Sequence, residues 1–134
     1  MIFKKFKGNL YALYINILIT EFSNLANYST SESDTGMRWI DSKPIYRKVV
    51  NFGALPNAST KAVNHGISNL NTVVNFYGNI LNSTTGDRLS LNVPSPSGPQ
   101  YDILTTVTNT QVKITCSVDR SHQNAIVVIE YTKS

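Results

Sequence analysis

The chain has 134 residues, a formal net charge of +4, 41% apolar residues and 15% charged residues. That length fits one domain around one core, and the charged fraction lies well below the usual quarter. The basic surplus is small and half of it sits in the first 28 residues, as Lys4, Lys5 and Lys7 against Glu21; this argues against a nucleic acid as partner, because neutralising several phosphates needs more.

Residues 1–28 open basic and run apolar from Leu10 to Ile19, broken by Asn16. The run is about half of what a membrane span needs, so no span is expected. Phe3, Phe6, Leu10, Leu13 and Ile17 recur at spacings of three and four, which predicts an amphipathic helix or packing arm. A signal peptide is the alternative, with Lys4 to Lys7 as its basic region and Asn24 spoiling the cleavage site. Residues 29–38, "STSESDTGMR", are small and polar and read as a linker.

From Trp39 the helical period disappears, and short alternating runs separated by turn residues take over. Residues 39–134 are therefore expected to form an all-β domain, an antiparallel, jelly-roll-like β-sandwich behind the short N-terminal helix or arm. Ile45 to Phe52 is the first run, with Arg47 on one face and Tyr46, Lys48, Val50 and Phe52 on the other. "TKAVNHGI" follows the "GALPNAS" turn, then Leu70 to Leu81, where Gly78 suggests a bulge. "RLSLNV" is a short strand and the proline-rich "PSPSGPQ" an exposed loop. "YDILTTVT" and "QVKITCSV" form a hairpin-like pair about "NT". "AIVVIEY", apolar on both faces, closes the chain as a central strand.

Catalytic chemistry is hard to find in this text. Cys116 is alone, which rules out an internal disulfide or a cysteine zinc site, and its alternation with Val112, Ile114 and Val118 makes it a core residue. His65 and His122 have no metal-ligand companion at short spacing, and no cofactor motif is present. The carboxylates Asp87, Asp102, Asp119 and Glu130 are scattered. The N-x-S/T triplets at Asn27, Asn57 and Asn82 are what a chain rich in Asn, Ser and Thr produces by chance. One loop, "DRSHQN", gathers Asp119, Arg120 and His122; it is either a solvated turn or a ligand-binding loop.

"WIDSKPIYRKVVNFGALPN", then "VNHGISNL", and the closing "DRSHQNAIVVIEYTKS" together resemble a module of bacteriophage tail-fibre, baseplate and other virion structural proteins. The likeness covers residues 39 to 78 and 118 to 133. In such modules a glycine usually stands where this chain has Ser42, and an aspartate where it has Asn51. The resemblance implies that Trp39 and Tyr46 anchor the first strand and that Gly53 and Pro56 make the turn after it. It also implies a virion location and a homo-oligomer, most often a trimer. Two functions follow: a tail-fibre or baseplate tip domain that recognises a host-surface glycan, or a capsid or tail decoration protein that binds other virion proteins. A cell-wall or polysaccharide-degrading enzyme ranks third, since no catalytic pair can be read. The chain is expected to be non-enzymatic.

Overall fold

The computed structural model of the protein describes residues 8–18, 27–94, 98 and 102–134. A helix covers 8–18, and eight strands follow: β1 Ser33–Arg38, β2 Pro44–Ala54, β3 Thr60–Asn64, β4 Leu70–Asn82, β5 Arg88–Leu89, β6 Ile103–Val107, β7 Gln111–Cys116 and β8 Gln123–Lys133. They form a five-stranded sheet, ordered β1-β2-β8-β4-β5, and a three-stranded sheet, ordered β3-β7-β6. Every pairing is antiparallel. β2 pairs with β8 in one sheet while their sequence neighbours β3 and β7 pair in the other. Partners in one sheet thus continue into partners in the other, which makes this antiparallel sandwich jelly-roll-like. The expected antiparallel sandwich with a short N-terminal helix is the fold observed.

Alternation explains the core. Val112, Ile114 and Cys116 of β7 face Val127, Ile129 and Tyr131 of β8 across the gap between the sheets, with Phe52, Ile80 and Ile103 filling it from the flanks. All nine are buried, and each large aliphatic among them contributes about 1.5–3 kcal/mol by leaving water. β8 is central, as its two apolar faces require: Val128, Glu130 and Thr132 point outward from the sheet yet are buried too. The β6–β7 hairpin turns at Asn109 and Thr110, where the Thr108 hydroxyl accepts the Gln111 and Thr110 N–H groups.

Several expectations need correction. Residues 29–38 are not a linker, because 33–38 form β1. That strand lacks an apolar period since it lies at a sheet edge and is held by hydroxyls: Thr35 donates to the Ile45 carbonyl at 2.7 Å and Ser33 to the Arg47 carbonyl at 3.4 Å. The arm likewise ends earlier than residue 28, for Tyr28 lies on the five-stranded sheet against Arg47 and Tyr77. Trp39 sits in the β1–β2 turn, closed by bonds between Trp39 N–H and the Lys43 carbonyl and between Ser42 N–H and the Trp39 carbonyl. Gly53 makes a bulge inside β2, at φ +76°, not the turn after it.

No bulge occurs at Gly78. The irregularities of β4 lie between Leu70 and Thr72 and between Val73 and Asn75, and Gly78 is required instead because a Cβ there would run into the Ile126 carbonyl. β5 stops at Leu89, since the chain then crosses between the sheets. Asn92 Oδ1 accepts the Thr105 N–H, the Thr105 hydroxyl donates to the Leu91 carbonyl, and Val93 bridges to Ile103. Most of "PSPSGPQ" lies outside the described residues, as do Phe3 and Phe6.

The helix 8–18 is exposed along its whole length. Leu10, Tyr11, Leu13, Tyr14, Ile15, Ile17 and Leu18 are each between 36% and 70% exposed, so their apolar surface has no cover within the described chain. Among the described residues no helix is long and apolar enough to cross a membrane.

Candidate functional site

The loop 117–122 holds the three residues singled out from the sequence, and it sets Asp119 and His122 on its exposed side within electrostatic reach of each other. Asp119 is exposed; its Oδ1 accepts the Ser121 N–H at 2.9 Å and its backbone bridges to Asn57. That Ser121 N–H is the main reason its carboxyl is held below the usual carboxylate range, and His122 adds a weaker attraction. Arg120 is half-buried and lies close enough to Cys116 to oppose the upward push that burial gives the thiol. His122 is exposed, and its carbonyl accepts the Ser83 hydroxyl at 2.6 Å. The loop is therefore a closed turn knitted to the β2–β3 and β4–β5 connections.

His65 is buried and structural. Its Nδ1 accepts the Ile67 N–H at 3.1 Å, so Nε2 carries the proton and donates to the Thr108 carbonyl at 3.1 Å. Among the described residues no cluster of three His, Cys, Asp or Glu side chains is placed to hold a metal ion.

Two arrangements on β2 escaped the sequence reading. On the outer face of the five-stranded sheet, Glu130 Oε1 accepts Arg47 Nε at 3.0 Å, Arg47 Nη2 at 2.9 Å and the Tyr77 hydroxyl at 3.0 Å. Because the Tyr77 proton goes to Glu130, Tyr28 is the donor in the 3.1 Å contact between the two hydroxyls. The Tyr28 ring also covers the Arg47 guanidinium at 4.4 Å. Burial, then the hydrogen bond that Tyr77 donates to the Glu130 carboxylate and the charge of that carboxylate, push the Tyr77 hydroxyl above its ordinary value. Arg47 and Glu130 lie 83 positions apart in sequence, so only the β2–β8 register could reveal the pair.

The next residue, Lys48, points to the other side. It lines a groove of about 350 Å³ between β2 and the β3–β4 connection, with Thr30, Val49, Val50, Asn51, Val63, Asn64, His65 and Gly66. Its ammonium forms no ion pair or hydrogen bond among the described residues. It reaches Gly66 so closely that a Cβ there would lie 3.1 Å from Nζ, at a φ of +67° that itself favours glycine. Two smaller cavities, of about 230 and 260 Å³, flank residues 90–94.

The comparisons with known proteins return nothing: no family model, no curated protein and no solved structure matches this chain.

Proposed function

We propose that this chain is a bacteriophage virion structural protein: a tail-fibre or baseplate tip-like domain, displayed on the particle as a homo-oligomer, most simply a trimer, that recognises a host-surface glycan and turns over no substrate. One observation carries the reading. The two stretches that resemble the phage module, 39 to 78 and 118 to 133, are far apart in sequence, yet β2 and β8 pair along most of their length and β4 flanks β8. The textual likeness thus takes in the three adjacent central strands of the five-stranded sheet, with β3 of the other sheet between them in sequence, which supports reading it as a module with its own fold. Ser42 fits the same reading. It holds φ +67° in the position where such modules usually carry glycine, the residue that adopts this conformation freely.

Adsorption tests the proposal. Labelled full-length chain should bind host cells and slow phage adsorption, and periodate oxidation of the cell surface should abolish both effects. Chain that neither binds cells nor competes with phage would overturn it.

A second reading, a capsid or tail decoration protein, is favoured by the helix 8–18. An uncovered apolar helix is an aggregation hazard unless another surface receives it. Deleting residues 1–26 should then abolish incorporation into particles while leaving the sandwich folded, with a native circular-dichroism spectrum.

A further inference from the structure

Lys48 is a cation set into a groove with no carboxylate in ion-pair contact among the described residues, and this leaves room for an anion. The carboxylate that feels its charge is Glu32, which is already engaged: the Tyr131 hydroxyl donates to it at 2.6 Å and Lys133 Nζ at 3.0 Å. Lys48 adds only a weaker, longer-range attraction to that carboxylate. The other basic side chains of β2 and β3 are committed. Arg47 is held by Glu130, and Lys61 donates to the Ala54 and Phe52 carbonyls at 2.6 and 3.2 Å.

The groove offers neutral hydrogen-bonding groups around that charge. Asn64 Oδ1 accepts from Gln111, which leaves the Asn64 amide nitrogen to donate elsewhere. Asn51 and Thr30 are exposed at the rim, and Val49, Val50 and Val63 supply a small apolar lining. A cavity with a few convergent polar groups on an apolar lining is the usual form of a small-ligand site.

We infer that this groove is a subsite for an acidic saccharide, with Lys48 taking the carboxylate of a uronic acid and the rim residues Thr30 and Asn64 bonding its hydroxyls. An extended acidic peptide is the competing occupant, and it fits less well. Such a peptide would add to the open edge of β2, but that edge is already capped where the Val49 N–H donates to the Ser29 carbonyl at 2.8 Å. The inference rests on the glycan-recognition reading and names the chemistry that reading leaves open.

The test is calorimetric titration of the full chain with an oligosaccharide of alternating glucuronic acid and neutral sugar. Its carboxyl-reduced counterpart and an acidic hexapeptide serve as the other two arms. The expected result is binding of the uronate probe about tenfold tighter than the reduced one, weakening with added salt. Lys48→Gln should lose about tenfold and Lys48→Arg less. Lys113→Gln, which removes the same charge from the outer face of the three-stranded sheet, should lose nothing; native circular dichroism confirms that each variant is folded. Equal binding of both saccharides, no binding of the uronate, an unaffected Lys48→Gln, or preference for the hexapeptide each overturns the inference. A chain that adsorbs to host cells but ignores the uronate refutes this subsite alone, whereas one that does not adsorb refutes the function beneath it.

Discussion

Removing the carboxylate of Glu130 should be among the most damaging single changes available in this fold. The Arg47 and Glu130 side chains retain only 14% and 12% of their exposure. Replacing Glu130 by Leu removes the acceptor of three hydrogen bonds, two of them from a guanidinium, and leaves a half-buried cation without its partner. Breaking a fully buried pair costs about 3–5 kcal/mol, and the residual solvent here puts the loss near the lower bound, about 3 kcal/mol. Urea unfolding would read this as a midpoint lowered by about 1–3 M, for a slope of 1–3 kcal/mol/M. Glu130→Gln keeps an acceptor of the same shape and gives up only the charge, so its loss should be about 1–2 kcal/mol. The double variant Arg47→Met with Glu130→Leu should recover most of the difference, since well-packed apolar replacements of buried ion pairs are often neutral. A Glu130→Leu chain within about 0.5 kcal/mol of wild type would refute the argument. So would a double variant that recovers nothing.

Ile114→Ala should cost about 2–5 kcal/mol in the same assay, because Ile114 is fully buried between the sheets; a loss below about 0.5 kcal/mol would contradict its placement. Ser42→Gly should stabilise by about 0.5–1 kcal/mol through relief at φ +67°, and a destabilised variant would show that the turn takes another form. Glu32 gains more from its Tyr131 and Lys133 hydrogen bonds than burial takes away, so its folded-state carboxyl lies below the ordinary value of 4.5. A depressed carboxyl contributes stability above its unfolded value that is lost as pH falls through the folded one. Glu32→Gln should therefore flatten the acid limb of the stability profile below about pH 4.5, and an unchanged limb would exclude this contribution.

The parts legible in the sequence are those where one strand face is buried. The β6–β7 hairpin and the central β8 could be placed because their apolar residues alternate or run continuously, and burial is what writes such patterns. β1 could not. Ser33, Asp34 and Thr35 satisfy their strand through hydroxyl and carboxylate bonds at an open edge, and a polar edge strand has the composition of a loop. The candidate loop was legible only as a polar turn: that Asp119 and His122 are exposed and Arg120 half-buried depends on the turn's contacts with Asn57 and Ser83, which the order of the residues does not show. Glu130 shows the same: it looked like one scattered carboxylate until the β2–β8 register set it beside Arg47.

Arg47 and Lys48 bring that contrast to a single peptide bond. Period-two alternation sends two consecutive cations to opposite sides of β2. Arg47 meets a carboxylate, a tyrosine hydroxyl and an aromatic ring, and its charge is spent inside the fold. Lys48 meets amides, a glycine turn and open space, and its charge is not. The energetic consequences should separate accordingly. Loss of Arg47 removes a structural partner and should appear in the denaturant midpoint, with ligand binding per folded molecule retained. Loss of Lys48 removes a half-exposed charge with no hydrogen bonds to break, and surface changes of that kind usually stay within about 0.5 kcal/mol. Its effect belongs in binding. If Lys48→Gln instead unfolds the chain as readily as Arg47→Met, the ammonium has a structural role and the groove loses its claim to a ligand.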